Sequence, residues 1–210
     1  MLVQDIMQRT VISVRPGTTV AEIAQLLQSR GIRHLPVLDQ GALVGIISDR
    51  DLKACMGGGA AIPNTGLDRV AAADIMTKRV ITTAPMFPVE DAARVMVTEK
   101  ISALPVTEAD RMVGLITETD LLVLLVRAMG VLEPSSRLDV ELSAASGALG
   151  QVVQIVETEG APISSIVTLR SPATGFTEAV IRVTTIDPGP AIRALAARGY
   201  AVRDWTSKAP

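Results

Sequence analysis

The feature that most constrains this fold is an internal repeat. Residues 45–52, Gly-Ile-Ile-Ser-Asp-Arg-Asp-Leu, return at residues 114–121 as Gly-Leu-Ile-Thr-Glu-Thr-Asp-Leu, a shift of 69 positions. The same shift needs no gap to pair the other shared tripeptides, Asp5-Ile6-Met7 with Asp74-Ile75-Met76 and Leu35-Pro36-Val37 with Leu104-Pro105-Val106. Each copy of a repeat is one structural unit that packs against its neighbour. The chain is therefore predicted to contain two similar units in tandem.

Each copy of the repeated segment is predicted to form a short buried strand that leads into a helix. Ser48 and Thr117 occupy the position of a helix N-cap, where a hydroxyl accepts from the free N–H groups of the first turn. Asp51 and Asp120 follow three residues later. One interpretation is a capping box that only starts a helix. The other is a binding site in which the cap groups meet a phosphate and the carboxylate accepts two ribose hydroxyls.

The repeat resembles a tandem pair of cystathionine-β-synthase (CBS) domains, also called a Bateman module. Five linked elements carry the resemblance over residues 1 to about 130: Asp-Ile-Met, a strand (residues 11–14 and 80–83), a helix, Leu-Pro-Val and Gly-x-Ile-Ser/Thr-x-x-Asp. Members of this family bind adenosyl ligands such as AMP, ADP, ATP or S-adenosylmethionine in clefts between paired domains. The resemblance implies that Asp51 and Asp120 hold a ribose and that Ser48 and Thr117 meet phosphate.

The resemblance also implies which residues line the two clefts. Arg33 and His34 stand where the family often has polar or basic residues near phosphate, although His34 also fits a partly buried structural role. The second copy has Ser102 and Ala103 at these places and Thr119 in place of Arg50, so the first cleft is expected to prefer more phosphate charge. The implied adenosyl-binding residues are Thr10, Val11, Ile12, Arg33, His34, Pro36, Ser48, Arg50, Asp51, Val80, Ile81, Ser102, Ala103, Pro105, Thr117 and Asp120.

Composition excludes several classes of function. Aromatic residues make up only 2% of the chain and the net charge is −2, which argues against a nucleic-acid partner. One cysteine, Cys55, and one histidine leave no disulfide, metal cluster or catalytic pair to propose, so we expect no metal and no cofactor beyond a regulatory nucleotide. The longest apolar run, residues 121–126, is far below the ~20 residues that span a bilayer, and the N-terminus lacks the apolar core of a secretory signal. We therefore expect a cytoplasmic protein without membrane contact.

The rest of the chain is predicted to form a third domain. Glycines and Pro63 within residues 57–73 predict a mobile linker between a first repeat at 1–70 and a second at 71–131. Residues 137–207 show the element order βαββαβ of a ferredoxin-like sandwich. This part resembles an ACT domain, a regulatory module that binds amino acids, often at dimer interfaces. At its first turn the family usually has Asp-x-Pro-Gly, and residues 145–148 keep a glycine there, Gly147, but not the acidic residue or the proline. The resemblance makes Ser146 and Gly147 the candidate ligand or interface residues.

These features favour a regulatory protein that senses an adenine nucleotide. Two CBS repeats followed by an ACT-like domain is the layout of acetoin-utilisation regulators, so the resemblance implies control of acetoin or acetyl metabolism, a homodimer and an enzyme partner under its control. Two alternatives stay open: an oligomerisation scaffold with empty clefts, and an amino-acid sensor acting through the ACT-like domain. An enzyme is disfavoured because each well-formed motif is explained by binding.

Overall fold

The computed structural model describes residues 1–57, 64–170 and 175–204, and it divides into an N-terminal unit (residues 1–122) and a C-terminal unit (residues 123–210). The mixed α/β fold class predicted from the sequence is confirmed, with two antiparallel four-stranded sheets. Within the described ranges, no helix combines the length and the apolar character needed to cross a lipid bilayer.

The two repeats contain the same elements in the same order. Each has a one-turn helix, a longer helix, a β-hairpin and a helix that follows the hairpin directly. In the first repeat these are α1 (Val3–Ile6), α2 (Val20–Arg30), β1 (His34–Asp39), β2 (Ala42–Ser48) and α3 (Asp49–Gly57). In the second they are α4 (Ala72–Ile75), α5 (Val89–Glu99), β3 (Ala103–Glu108), β4 (Arg111–Thr117) and α6 (Glu118–Ala128).

The two hairpins form one sheet of order β1-β2-β4-β3, with a proline in each edge strand. Pro36 and Pro105 fit these edges because they have no N–H to donate to a ladder. The predicted strands at residues 11–14 and 80–83 are wrong, because each segment makes only a single bridge to the edge strand. In the first copy Val14 donates to the Pro36 carbonyl, and the next ladder bond would need the N–H that Pro36 lacks.

The start of each repeat pairs with the hairpin of the other repeat. Gln8 exchanges two backbone hydrogen bonds with Leu115, at 2.8 and 3.0 Å. At the equivalent place in the second repeat, Thr77 exchanges two with Ile46, at 2.9 and 3.1 Å. The repeats are therefore crossed: the first residues of each repeat pair with the strand that leads into the other repeat's Ser/Thr-x-x-Asp motif.

Repeated methionines and glycines lie in contact across this crossing. A methyl group on Gly114 would lie 2.6 Å from Met7 Sδ and 3.0 Å from the Gln8 carbonyl oxygen, and a methyl on Gly45 would overlap the Met76 side chain. Only glycine leaves room for the methionine at these two places. The Asp-Ile-Met of one copy and the Gly-x-Ile of the other thus form a single packing contact.

The prediction of a loop over residues 57–73 is wrong for its second half. Asn64–Arg69 form a 3₁₀ helix, and Leu67 within it is buried. The Val20 N–H donates to the Val70 carbonyl, which ties this segment to the start of α2. Buried apolar surface and paired backbone groups outweigh the turn-forming composition here. Residues 58–63, which include Pro63, lie outside the described residues.

The C-terminal unit has the βαββαβ order predicted for a ferredoxin-like sandwich. Its elements are β5 (Ser136–Leu142), α7 (Ala148–Thr158), β6 (Ile163–Arg170), β7 (Thr177–Val183), α8 (Gly189–Ala197) and β8 (Val202–Asp204), in the sheet order β6-β7-β5-β8. Alternate residues of β5 (Leu138, Val140 and Leu142) are buried in a core with side chains of both helices. Ser146 and Gly147 are exposed just before α7, and Gly147 has a φ of 84°, which glycine adopts readily.

Candidate functional site

The aspartate of each repeated motif is held by the start of its own helix. Asp51 Oδ2 accepts the Ser48 backbone N–H at 2.7 Å and the Ser48 hydroxyl at 2.6 Å. Asp120 Oδ2 accepts the same two groups of Thr117, at 2.8 and 2.7 Å. This is the geometry of a capping box. It uses one carboxylate oxygen of each aspartate and orients the other, Oδ1, for a further donor.

The cavity around Asp51, here called the Asp51 cleft, combines the first motif with parts of the second repeat. Its volume is about 200 Å³. Ser48, Arg50 and Asp51 line it together with residues 79–81 from the start of the second repeat and residues 100–103, which run from the end of α5 to the first residue of β3. Three cations (Arg50, Arg79 and Lys100) stand against two carboxylates (Asp49 and Asp51). The cleft is therefore the more basic of the two.

The cavity around Asp120, the Asp120 cleft, combines the second motif with parts of the first repeat. It has a volume of about 360 Å³ and is lined by Thr117, Thr119 and Asp120 with residues 10–12 and 31–34. Arg33 and Asp120 balance in charge, and the Arg33 Nη2 donates to Thr119 Oγ1 at 3.2 Å. The Gln8 Nε2 donates to Asp120 Oδ1 at 3.0 Å. This cleft is larger and less charged than the Asp51 cleft.

A third cavity, the central basic cavity, shares lining residues with both clefts. Arg33, Arg50, Lys53 and Lys100 face two carboxylates, Asp49 and Glu118, in a volume of about 330 Å³. Lys53 Nζ lies 3.0 Å from Asp49 Oδ2, and this hydrogen bond lowers the pKa of Asp49 below its ordinary value. The excess of cations would attract an anionic group that enters from either cleft.

His34 joins the two repeats between the clefts. One ring nitrogen, Nε2, lies 2.8 Å from the Ser102 hydroxyl, and the ring lines both the Asp51 and the Asp120 clefts. Burial lowers the pKa of His34 below its ordinary value, and the adjacent Arg33 lowers it further. The imidazole is therefore kept neutral and able to act as a hydrogen-bond partner at neutral pH.

Most of the residues implied by the sequence line one of these cavities, but not always the expected one. The exceptions are Pro36 and Pro105, which are buried within β1 and β3. The sequence grouped Arg33 with Arg50 in the first cleft, whereas Arg33 lines the Asp120 cleft and the central basic cavity. It placed Ser102 and Ala103 in the second cleft, whereas both line the Asp51 cleft. The difference arises because the repeats are crossed, so that position in the repeat does not tell which cleft a residue lines.

The lining residues that sequence reasoning missed include four that differ between the copies, which are Gln8, Thr77, Arg79 and Lys100. Each stands where the two copies differ in charge or length: glutamine against threonine, threonine against arginine, and glycine against lysine. The sequence signal that could have identified them is a charged or polar difference between the two copies, rather than a shared residue.

The crossed α/β repeats, with one Ser/Thr-x-x-Asp cleft on each side, define a tandem-repeat module. A family model for the CBS domain matches residues 3–58 and 72–127, more than half of the chain. The chain therefore belongs to the CBS-domain family. Because the matched ranges end within α6, the domain boundaries and the ACT resemblance of the C-terminal unit stay predictions.

Solved structures similar to this chain include ligand complexes. The CBS domain pair of protein MJ0100, in complex with 5′-methylthioadenosine and S-adenosylmethionine, is 31% identical, with a TM-score of 0.53 over 60% of this chain and 95% of that one. CBSX2 in complex with AMP is 27% identical, with a TM-score of 0.52 over 60% and 96%. A protein described as an acetoin utilization protein (AcuB) from Vibrio cholerae is 27% identical, with a TM-score of 0.56 over 62% and 96%. The chain spans only 23% and 46% of the first curated relatives that it matches.

Proposed function

We propose that this protein is a regulatory sensor that binds an adenine nucleotide or S-adenosylmethionine in the Asp51 and Asp120 clefts. The observation that carries the proposal is the pair of motif aspartates, each held through Oδ2 beside a cavity. The complexes of MJ0100 and CBSX2 with adenosyl ligands support it.

The proposed pose follows from the chemistry of each cleft. Ribose hydroxyls donate to the motif carboxylate, and the aliphatic pair Val80 and Ile81, or Val11 and Ile12, packs on the adenine. Phosphates extend toward the central basic cavity. The Asp51 cleft, with its excess of cations, should prefer nucleotides with more phosphate groups. The positively charged sulfonium of S-adenosylmethionine is better suited to the neutral Asp120 cleft.

Binding becomes a signal only if the ligand has different affinities for two arrangements of the protein. In this proposal the protein is a homodimer whose ligand state controls an enzyme partner, in acetoin or acetyl metabolism by the resemblance to AcuB-type proteins. No catalytic role is proposed for this chain. An amino acid bound near Ser146 and Gly147 would be a second input.

Thermal unfolding with AMP, ADP, ATP and S-adenosylmethionine tests the proposal. A ligand at about 100 times its Kd adds about 2.7 kcal/mol to the state that binds it, which is a rise in Tm of roughly 5–11 °C when the whole chain unfolds together. Asp51→Ala and Asp120→Ala are each expected to remove the part of the rise that comes from one cleft.

A matched control separates ligand binding from helix capping. Asp74 accepts the Ala71 backbone N–H at 2.9 Å, so Asp74→Ala also removes a carboxylate that caps a helix start. It should lower the Tm of the free protein and keep the full ligand-induced rise. Equal Tm values with and without every ligand would contradict the proposal and favour the scaffold with empty clefts, since the motif aspartates already serve as caps.

A further inference from the structure

Among the described residues, the Asp120 cleft contains a hydrogen bond that the Asp51 cleft lacks. The Gln8 amide Nε2 donates to Asp120 Oδ1 at 3.0 Å, while Thr117 donates twice to Oδ2. Both oxygens of Asp120 therefore have protein donors. In the Asp51 cleft, Ser48 donates to Oδ2, and the described residues supply no donor to Asp51 Oδ1.

A single pair of equivalent residues accounts for this difference. Gln8 and Thr77 lie 69 positions apart, and each exchanges backbone hydrogen bonds with the strand that leads into the other repeat's motif. Threonine has no side-chain amide, and among the described residues the Thr77 hydroxyl makes no hydrogen bond to Asp51. Both residues are exposed, so their side chains can be exchanged without disturbing a core.

We propose that Gln8 makes the Asp120 cleft the weaker of the two nucleotide sites. The inference rests on the proposed function, in which a ribose hydroxyl donates to Oδ1 of each motif aspartate. A ribose that enters the Asp120 cleft must displace the Gln8 amide, whereas a ribose that enters the Asp51 cleft finds its acceptor open. The Gln8 hydrogen bond is exposed to solvent, so its loss corresponds to an ordinary net hydrogen bond of about 1 kcal/mol, or about three- to tenfold in affinity.

Cavity size alone predicts the opposite order of filling. The Asp120 cleft, at about 360 Å³, is larger than the Asp51 cleft, at about 200 Å³. If contact area with the adenosine decided affinity, the Asp120 cleft would fill first. The competition from Gln8 and the difference in volume therefore lead to opposite expectations for the same two sites.

A reciprocal exchange of the two residues tests the proposal by titration calorimetry with AMP. The Asp51→Ala background isolates the Asp120 cleft, and there Gln8→Thr is expected to tighten AMP binding about three- to tenfold. The Asp120→Ala background isolates the Asp51 cleft, and there Thr77→Gln is expected to weaken AMP binding by a similar factor.

The matched control probe is 2′,3′-dideoxyadenosine monophosphate, which has no ribose hydroxyl to compete with the amide. Its affinity should not change with Gln8→Thr. Unchanged AMP affinity in this variant overturns the inference, and so does weaker binding, which would make Gln8 a ligand contact. If AMP binds to each single aspartate variant but ignores the exchange, only the role of Gln8 fails. If AMP binds to no form of the protein, the proposed function fails with it.

Discussion

The Asp51 and Asp120 clefts have equivalent backbones but offer a ligand different chemistry. The Asp51 cleft is small and basic, with Arg79 and Lys100 on the side supplied by the second repeat. The Asp120 cleft is larger and neutral, and Gln8 already occupies its carboxylate. Residues that the two copies share, such as the motif aspartates, place the two clefts, whereas residues that differ set the charge of each cleft.

The largest expected effect on stability comes from the glycine–methionine contacts that both repeats share. Gly114→Ala should lower the free energy of unfolding by about 2 kcal/mol, because its methyl meets the Gln8 carbonyl as well as Met7 Sδ, and a backbone atom cannot move aside. Gly45→Ala should cost less, because its methyl meets only the flexible Met76 side chain among its nearest atoms. Urea denaturation of both variants measures the difference. Equal losses would mean that the two crossings are energetically equivalent.

A buried hydroxyl distinguishes the cores of the two repeats. Thr83 Oγ1 is buried and has no hydrogen-bond partner among the described residues, whereas the equivalent residue of the first repeat is Val14. Thr83→Val should raise the free energy of unfolding by about 1 kcal/mol, because the substitution keeps the shape and removes an unsatisfied polar group. The reverse change, Val14→Thr, should destabilise by a similar amount. A loss of stability in Thr83→Val would show that the hydroxyl has a partner in solution.

Substitution of Lys100 is expected to change stability and nucleotide binding in opposite directions. It has a φ of 55° at the C-cap of α5, where the first repeat has Gly31 with a φ of 60°. Lys100→Gly should stabilise the free protein by about 0.5 kcal/mol, since relief of left-handed strain outweighs the added freedom of the unfolded chain. The same change should weaken ATP more than AMP, because Lys100 lines the central basic cavity.

Two measurements check this prediction, namely urea denaturation of the free protein and calorimetric titration with each nucleotide. Lys78→Gly, at an exposed residue outside the three cavities described above, is the control for loss of one positive charge. If ATP and AMP weaken equally in Lys100→Gly, the lysine does not act on the additional phosphates.

The smallest expected effect is a pH dependence that only one repeat has, because Ala103 stands where the first repeat has His34. Burial and Arg33 lower the pKa of His34, although Asp49, Glu118 and Asp51 act in the opposite direction. The unfolded chain therefore binds a proton at a higher pH than the folded protein does. The contribution of neutral His34 to stability is complete above the ordinary histidine pKa of about 6.5. It is lost as the pH falls through the lowered pKa of the folded protein.

His34→Gln keeps a polar group near Ser102 but does not titrate in this range. Denaturation curves of the wild type and this variant between about pH 7.5 and 5 should converge or cross as the pH falls. Titration of the carboxylates is common to both proteins and cancels in the comparison. Parallel curves across this range would mean that the pKa of His34 is not lowered in the folded state.

Much of the fold was accessible from the sequence because the repeat fixes both element order and packing partners. Each repeated motif forms the predicted strand that leads into a helix, and Asp51 and Asp120 were found because each stands in the same motif beside the same strand. The segments at 11–14 and 80–83 were misjudged because their apolar residues favour a strand, while the proline of the partner strand stops the ladder.

The assignment of residues to clefts was not accessible in the same way. Arg33 was grouped with the wrong motif because hydrogen bonds such as those between Gln8 and Leu115 are non-local and leave no trace in local patterns. The ordered segment at Asn64–Arg69 was missed for a related reason, since its order depends on contacts with the start of α2. Local sequence predicts which residues carry chemistry, and tertiary pairing decides which of them meet.

The crossing of the two repeats has a consequence for how such a chain can arise. A shorter ancestor with one copy would present two half-sites, and only a pair of identical chains would complete them, giving two equal sites by symmetry. Fusion of two copies in one gene removes that symmetry requirement. Each half-site is then free to change alone. One molecule could then bind a different ligand at each site, instead of the same ligand at two equal sites.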